Sequence, residues 1–233
     1  MRQDTPITLP SDSELRAAGL PPERIAVRRA SGSAGGTHVL YWMQASQREH
    51  VNPALEYALL AGHRLHLPVA VVFVLNSAFP AANMRHFHFM GEGLCDVATA
   101  LAARRIPFVL REGAAADVIP GLARSAALLV MDRAYLRAPV AWREEVLRRT
   151  TCPVVEVEGD VIVPVETASD HEEYAARTIR PKINRQRERF LIPVRKQKTP
   201  AGSCDEVFAP VSRETIRTCI AALPVDRSIA PST

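Results

Sequence analysis

The chain has 233 residues but only four cysteines, Cys95, Cys152, Cys204 and Cys219. They are scattered with no CxxC pair, so neither a zinc site nor a disulfide framework is signalled, and reduced thiols in a cytoplasmic protein are expected. Long apolar runs are missing too. None reaches the roughly 18 residues of a membrane span, and MRQDTPITLPSDSELRAAGLPPERI at the start holds no stretch of signal-peptide length, so no membrane is expected. The loops of familiar nucleotide and hydrolase chemistry are also absent. QASQREHVN stands where GxGxxG would follow a first strand, and no GxxxxGKS, GxxxxGKT, GxSxG or HExxH occurs. These absences argue against a nicotinamide dehydrogenase, an ATPase, a serine hydrolase and a metalloprotease. The HxH of His86 and His88 supplies no substitute, because helix residues two apart point about 200° from each other and do not share one ion.

What remains is ordinary soluble-protein chemistry, 47% hydrophobic and 23% charged with a formal charge of +4. A balance this mild assists approach to phosphates without selecting a partner. Residues 1–36 read as a loosely ordered leader, rich in proline, with one short helix at SDSELRAAG that Ser11 or Ser13 could cap, and ending in ASGSAGG. From residue 37 short apolar runs alternate with amphipathic segments: VLYWM, VAVVFVL, PFVL, ALLVMD and PVVEVEG, with helical patterns between them. Continuous apolar strands are buried on both faces, and right-handed crossovers put helices on both sides. The expectation for residues 37–165 is therefore an α/β domain, an open, doubly wound, five-stranded parallel sheet of Rossmann-like type.

In such a sheet the ligand crevice lies at the carboxyl ends of the strands, near the point where strand order reverses. That rule selects Met43 and Gln44 after the first strand, Asn76 after the second, Arg111 after the third, and Asp132 and Tyr135 after the fourth, as contacts for a planar ligand. Phe79, Phe87, Phe89 and Met90 read as core or crevice wall, with the nearby histidines on the polar side. Trp42 reads as packed in its strand, and Trp142 as a staple between a helix and the sheet.

Residues 166–233 leave the alternating pattern. RPKINRQRER is a basic segment, helical after Pro181, and reads as a solvated face or a surface docked on another domain. Its single aromatic, Phe190, gives no platform for base stacking. VSRETIRTCIAALPVDRSIAPST contains an amphipathic helix over 212–223, with Ser212 and Thr215 as its capping pair and Ile216, Ile220 and Leu223 on one face. The sheet is covered by its own crossover helices, so this face has no evident place to bury. Residues from Arg195 onward are expected to be loosely packed, and Tyr174 to Ile183 to pack firmly beside the sheet.

Several stretches resemble a known family: VLYWMQASQR with NPAL shortly after, FPAANMRHFHFMGEGL, FVLREG, VMDRAYLR, CPVVEVEGDVIVPVE, EYAARTIRPKI and LPVDRSIAP. In collinear order over about residues 24–231 they are similar to class II cyclobutane pyrimidine dimer photolyases. One departure is Val51, where the family usually has an acidic residue. The resemblance implies a bilobal, light-driven DNA repair enzyme. Its N-terminal α/β domain carries in some members an antenna chromophore such as an 8-hydroxy-5-deazaflavin. A helical domain binds FAD and accepts the flipped dimer from UV-damaged DNA. On that resemblance the chain is the antenna-type domain, residues 37–165, followed by the interdomain linker and the start of a missing FAD-binding helical domain, supplied in cis or as a separate chain. It carries no catalytic residues of its own, and a fragment, a truncation and half of a two-chain enzyme all remain open. The alternative is a stand-alone nucleotide- or flavin-binding module for light sensing or interaction.

Overall fold

The computed structural model describes residues 4–33, 35–79, 82–204 and 207–230. In chain order the elements are strand β1 (Asp4–Pro6), helix α1 (Asp12–Ala17), strands β2 (Ile25–Arg29), β3 (Ser31–Ser33) and β4 (His38–Trp42), helix α2 (Pro53–Leu65), strand β5 (Val69–Leu75), helix α3 (Met84–Ala103), strand β6 (Phe108–Glu112), helix α4 (Ala115–Leu122), strand β7 (Ala126–Asp132), helix α5 (Arg137–Arg149), strand β8 (Val154–Val157), and helices α6 (Val165–Ala168), α7 (Ala176–Phe190) and α8 (Arg213–Ala222). The main sheet has the order β2-β8-β7-β4-β5-β6. β4 to β8 are mutually parallel, at the places the apolar runs predict. The sequence order runs outward from β4 through β5 to β6, then returns to β7 on the other side of β4. This places the reversal of strand order between β4 and β7.

Period-two alternation sends each strand's side chains to opposite layers. Val39, Tyr41, Val71, Phe73 and Val130 face the layer of α2 and α3, while Leu40, Trp42, Val72, Val74 and Met131 face the layer of α4 and α5. α2 starts where Asn52 caps it, its Oδ1 accepting from Leu55 N at 3.0 Å, with Pro53 in the first turn. It stops at His66, whose φ of 56° is left-handed.

The leader is more ordered than its composition predicts. Ser11 caps α1 in a capping box with Glu14. β1 pairs with β3, and β2 joins the main sheet as a sixth strand, antiparallel to β8. Leu15 and Leu20 are buried in the core. The apolar character of β2 is weak because it is an edge strand buried on one side. Ala34, within ASGSAGG, lies outside the described residues.

The expected contrast between the basic segment and the tail is reversed. α7 begins at Ala176, ahead of Pro181, and packs only through Ile179, Ile183 and Phe190 on Val163 and Ala168, with Tyr174 78% exposed. The segment from Arg195 onward instead straps the domain. Pro193 O lies so close to Gly19 that a Cβ there would collide with it, and Arg195 N donates to Ala18 O. Arg104 donates to Glu56, to Glu49 and to Gln197 O, and Gln197 N donates to Glu56 Oε2 at 2.6 Å. Phe208 is buried with its ring edge-on to His38, 4.8 Å between centroids. α8, capped by Ser212 Oγ accepting from Thr215 N at 3.0 Å, lies on α3 and buries Ile216, Ile220 and Leu223. Its apolar face has a seat because α3 offers Gly91, where a Cβ would come within 2.8 Å of Ile220 Cγ1.

Two expectations follow. Ile220→Ala should destabilise the domain by about 2–5 kcal/mol in urea unfolding, as core truncations do, and amides of α8 should exchange nearly as slowly as those of β5. Burial lowers the pKa of His38 from 6.5 to about 4. The unfolded chain therefore takes up this proton first, and stability should fall as pH drops from about 6.5 towards about 4. His38→Gln should flatten that acid limb, measured as unfolding midpoints at a series of pH values.

Candidate functional site

Asp132, the last residue of β7, sits at the reversal of strand order and is 2% exposed. Its Oδ2 accepts from the backbone N–H groups of Gln44, Ala45 and Ser46 at 2.8, 2.9 and 3.2 Å. Its Oδ1 accepts from Tyr41 Oη at 2.7 Å. Burial raises its pKa above the ordinary carboxylate range and these donors oppose the rise. All four partners are donors, which suits a carboxylate and leaves an acid proton with nothing to bond. The carboxylate thereby curls the chain after β4 across the top of the sheet. Asn52 completes the curl, its Nδ2 donating to Ser46 O and Arg48 O at 3.0 and 2.9 Å.

Beside this curl is a cavity of about 270 Å³. Its floor is the end of β5, Phe73 and Val74, and the residues after β4 and β5, Gln44, Ala45, Gln47 and Asn76. Its walls come from α3 with the segment before it (Phe79, Ala82, His86, Phe87, Met90) and from α5 (Pro139, Trp142, Arg143). Phe79 meets Trp142 edge-on at 5.8 Å. Gln44 Oε1 accepts from Trp42 Nε1 at 2.9 Å, and Asn76 Oδ1 accepts from Ala78 N at 3.0 Å. Aromatic walls with a few amides suit a planar, conjugated ligand with polar edges.

Of the six residues selected from sequence, Gln44 and Asn76 line this cavity and Asp132 shapes it from below. The other three lie elsewhere. Met43 is fully buried in the layer of α2 and α3. Arg111 is exposed on edge strand β6, donating to Leu110 O. Tyr135 donates to Glu158 Oε1 at 2.9 Å in a separate polar cluster with Arg133, and burial raises its pKa. Phe79, Phe87 and Met90 are wall or core as expected, but Phe89 points outward and is 82% exposed. Trp142 lies in the second turn of α5 and walls the cavity. Arg143 and Gln47 are contributions the sequence did not announce, since no local motif marks which face of a helix will meet a crevice.

The reversed strand order, the carboxylate-tied loop and the aromatic cavity define an open α/β domain of the kind that holds a planar ligand at its strand ends. The sequence carries this further. A family model for DNA photolyase matches residues 39–222, and the chain belongs to that family. It is 43% identical over 182 residues to a deoxyribodipyrimidine photo-lyase of Methanothermobacter thermautotrophicus, covering 78% of this chain and 41% of the relative. With the Potorous tridactylus enzyme of the same name it shares 36% over 197 residues, 82% of this chain and 36% of the relative. The chain thus spans about two fifths of the length of the curated relatives it matches. In fold it is similar to an archaeal photolyase from Sulfolobus tokodaii solved with two FAD molecules, at TM-score 0.60 and 15% identity over 78% of this chain and 41% of that one. A class III photolyase from Agrobacterium tumefaciens gives TM-score 0.60 and 17% identity over 84% and 40%. No helix among the described residues is long and apolar enough to cross a membrane.

Asp132→Asn should lose about 2–3 kcal/mol, the range of hydrogen bonds to a charged acceptor, because an amide turns an N–H group towards donors. Val51 sits beside the curl with a φ of 49°, a left-handed backbone that costs a β-branched residue about 1–2 kcal/mol. Val51→Asn should return about 1 kcal/mol of that, read as a higher urea midpoint.

Proposed function

We propose that this chain supplies the light-collecting α/β part of a class II cyclobutane pyrimidine dimer photolyase, a cytoplasmic DNA repair enzyme. The observation that carries the reading is the aromatic-walled cavity at the strand ends of a chain whose relatives are named deoxyribodipyrimidine photo-lyases. The class assignment is supported by VLYWMQASQR and EYAARTIRPKI. The cavity suits an antenna chromophore of 8-hydroxy-5-deazaflavin type: the walls match a fused ring, and the amides of Gln44 and Asn76 match its polar edges. When bound, such a group supplies light absorption and passes its excitation to a reduced flavin. The chain's own residues position and shield. Phe79 and Trp142 cover the ring, Gln44 and Asn76 orient its edges, and Asp132 holds the loop that carries Gln44. The FAD-binding helical domain, in cis or on a second chain, acts on the UV-damaged DNA.

One observation favours a stand-alone flavin- or nucleotide-binding light-sensing module: α8 buries its apolar face inside this domain. A repair assay separates the readings. With added free FAD and light the chain by itself should leave dimers intact, and repair should appear when the FAD-binding domain is supplied. Repair by the chain alone, or none with that domain present, overturns the proposal. Binding of 8-hydroxy-5-deazariboflavin, followed by tryptophan fluorescence, should weaken about tenfold or more in Trp142→Ala, the loss of roughly 1.4 kcal/mol of ring contact. Tyr135→Phe, outside the cavity, should bind as before.

A further inference from the structure

Arg143 is a buried cation at the cavity, 2% exposed, and its charge is met in an unusual way. Its Nε donates to the backbone carbonyl of Asp132 and its Nη1 to Pro139 O at 3.1 Å. Its guanidinium carbon lies over the Trp42 ring at 5.2 Å. Two carbonyls and a ring face hold the side chain in place, but they engage only part of its five donors. No carboxylate forms an ion pair with it among the described residues. The neighbouring acid, Asp132, spends both oxygens on Tyr41 and the three backbone N–H groups. The other acids whose fields reach Arg143 are Glu156 and Asp160. They are already paired, Glu156 with Arg28 and Asp160 with Arg48 and Ser46, and neither lines the cavity. The cavity lining therefore contains an arginine, three side-chain amides, one histidine and no carboxylate.

We propose that Arg143 makes this cavity selective for a planar ring bearing negative charge on its edge, an ionised ring hydroxyl being the chemistry that fits. The inference rests on the chromophore reading of the cavity and adds the charge state of the ligand. Burying a guanidinium is costly unless something of opposite sign or strong acceptor character meets its remaining N–H groups. A ring oxide arriving edge-on between Phe79 and Trp142 supplies that acceptor, and the charge-assisted bond is stronger in this apolar setting than in water. The Trp42 face beneath keeps the guanidinium rigid, so little side-chain freedom is lost on binding. Arg143 acts here as a specificity-determining residue and takes no part in chemistry.

The test compares two probes of nearly the same shape, 8-hydroxy-5-deazariboflavin in its ionised form and 5-deazariboflavin, which lacks the acidic hydroxyl. The intact chain should bind the first about 10- to 100-fold more tightly, as one charge-assisted hydrogen bond implies, and the bound probe should show the absorption of its ionised form. Arg143→Gln should abolish that preference while holding 5-deazariboflavin as before, and Arg143→Lys should restore part of it. Equal affinity of the intact chain for both probes overturns the role of Arg143 and leaves the chromophore reading standing. Proportionate loss of both probes in Arg143→Gln, with a native thermal melt, assigns Arg143 to packing alone and equally overturns it. Failure of the intact chain to bind either probe overturns both the proposal and the reading beneath it. The probe comparison on the intact chain decides the question even where Arg143→Gln does not fold.

Discussion

The carboxylate of Asp132 is the constraint on which the top of this domain depends. Three consecutive backbone N–H groups, at Gln44, Ala45 and Ser46, turn towards one oxygen. That geometry bends the chain sharply as it leaves β4. Without an acceptor there, three buried donors would face an apolar sheet, at a penalty of about 1–3 kcal/mol for each. The same residue's carbonyl receives Arg143, so one position at the end of β7 ties down both the loop after β4 and helix α5. The cavity lies between what those two elements present, Gln44 on one side and Trp142 with Arg143 on the other. Its shape is therefore a consequence of where strand order reverses, since only there does a strand end on each side leave space for a loop and a helix to approach.

A second dependence runs around the outside. The segment after α7 crosses the leader at Gly19, is held by Arg104 against α2 through Glu56, passes Phe208 beneath His38, and returns along α3 as α8. Arg104 and Glu56 are both nearly buried and their bonds are reciprocal. The linker is thereby fixed to the same body as the sheet. Linker and leader meet each other at Gly19, so the segments at either end of the α/β pattern stabilise the domain between them. The residue limits that composition suggests, at 37 and 166, do not coincide with any gap in this packing.

The placement of charge follows a similar logic. α7 turns Arg177, Arg180, Arg185 and Arg187 to solvent and keeps Ile179, Ile183 and Phe190 beneath. Arg24 and Arg189 both lie against the Phe190 ring, at 5.7 and 5.0 Å. A helix this polar needs only a narrow apolar stripe, and the short segment around Val163 and Ala168 is wide enough to supply its partner.

The amino-acid sequence by itself determined the five parallel strands, the helices between them, the caps at Ser11 and Ser212, and the end of the sheet at which a ligand would sit. Each of these follows from local periodicity, or from the topological rule that apolar strands joined by helices leave little choice. The sequence also carried the family, through long collinear motifs. Only tertiary structure decided which residues at that end face the cavity. Met43 and Gln44 are adjacent, and alternation alone sends one into the core and the other to the crevice once the strand's exit is fixed by Asp132. Arg143 and Trp142 reach the site because α5 packs at one angle, which no spacing records. The seat for Ile220 exists because Gly91 is missing a side chain on a helix 129 residues earlier in the chain. A glycine reads as punctuation until the partner that fills its space is known, and contacts between distant segments depend on packing that no local pattern contains.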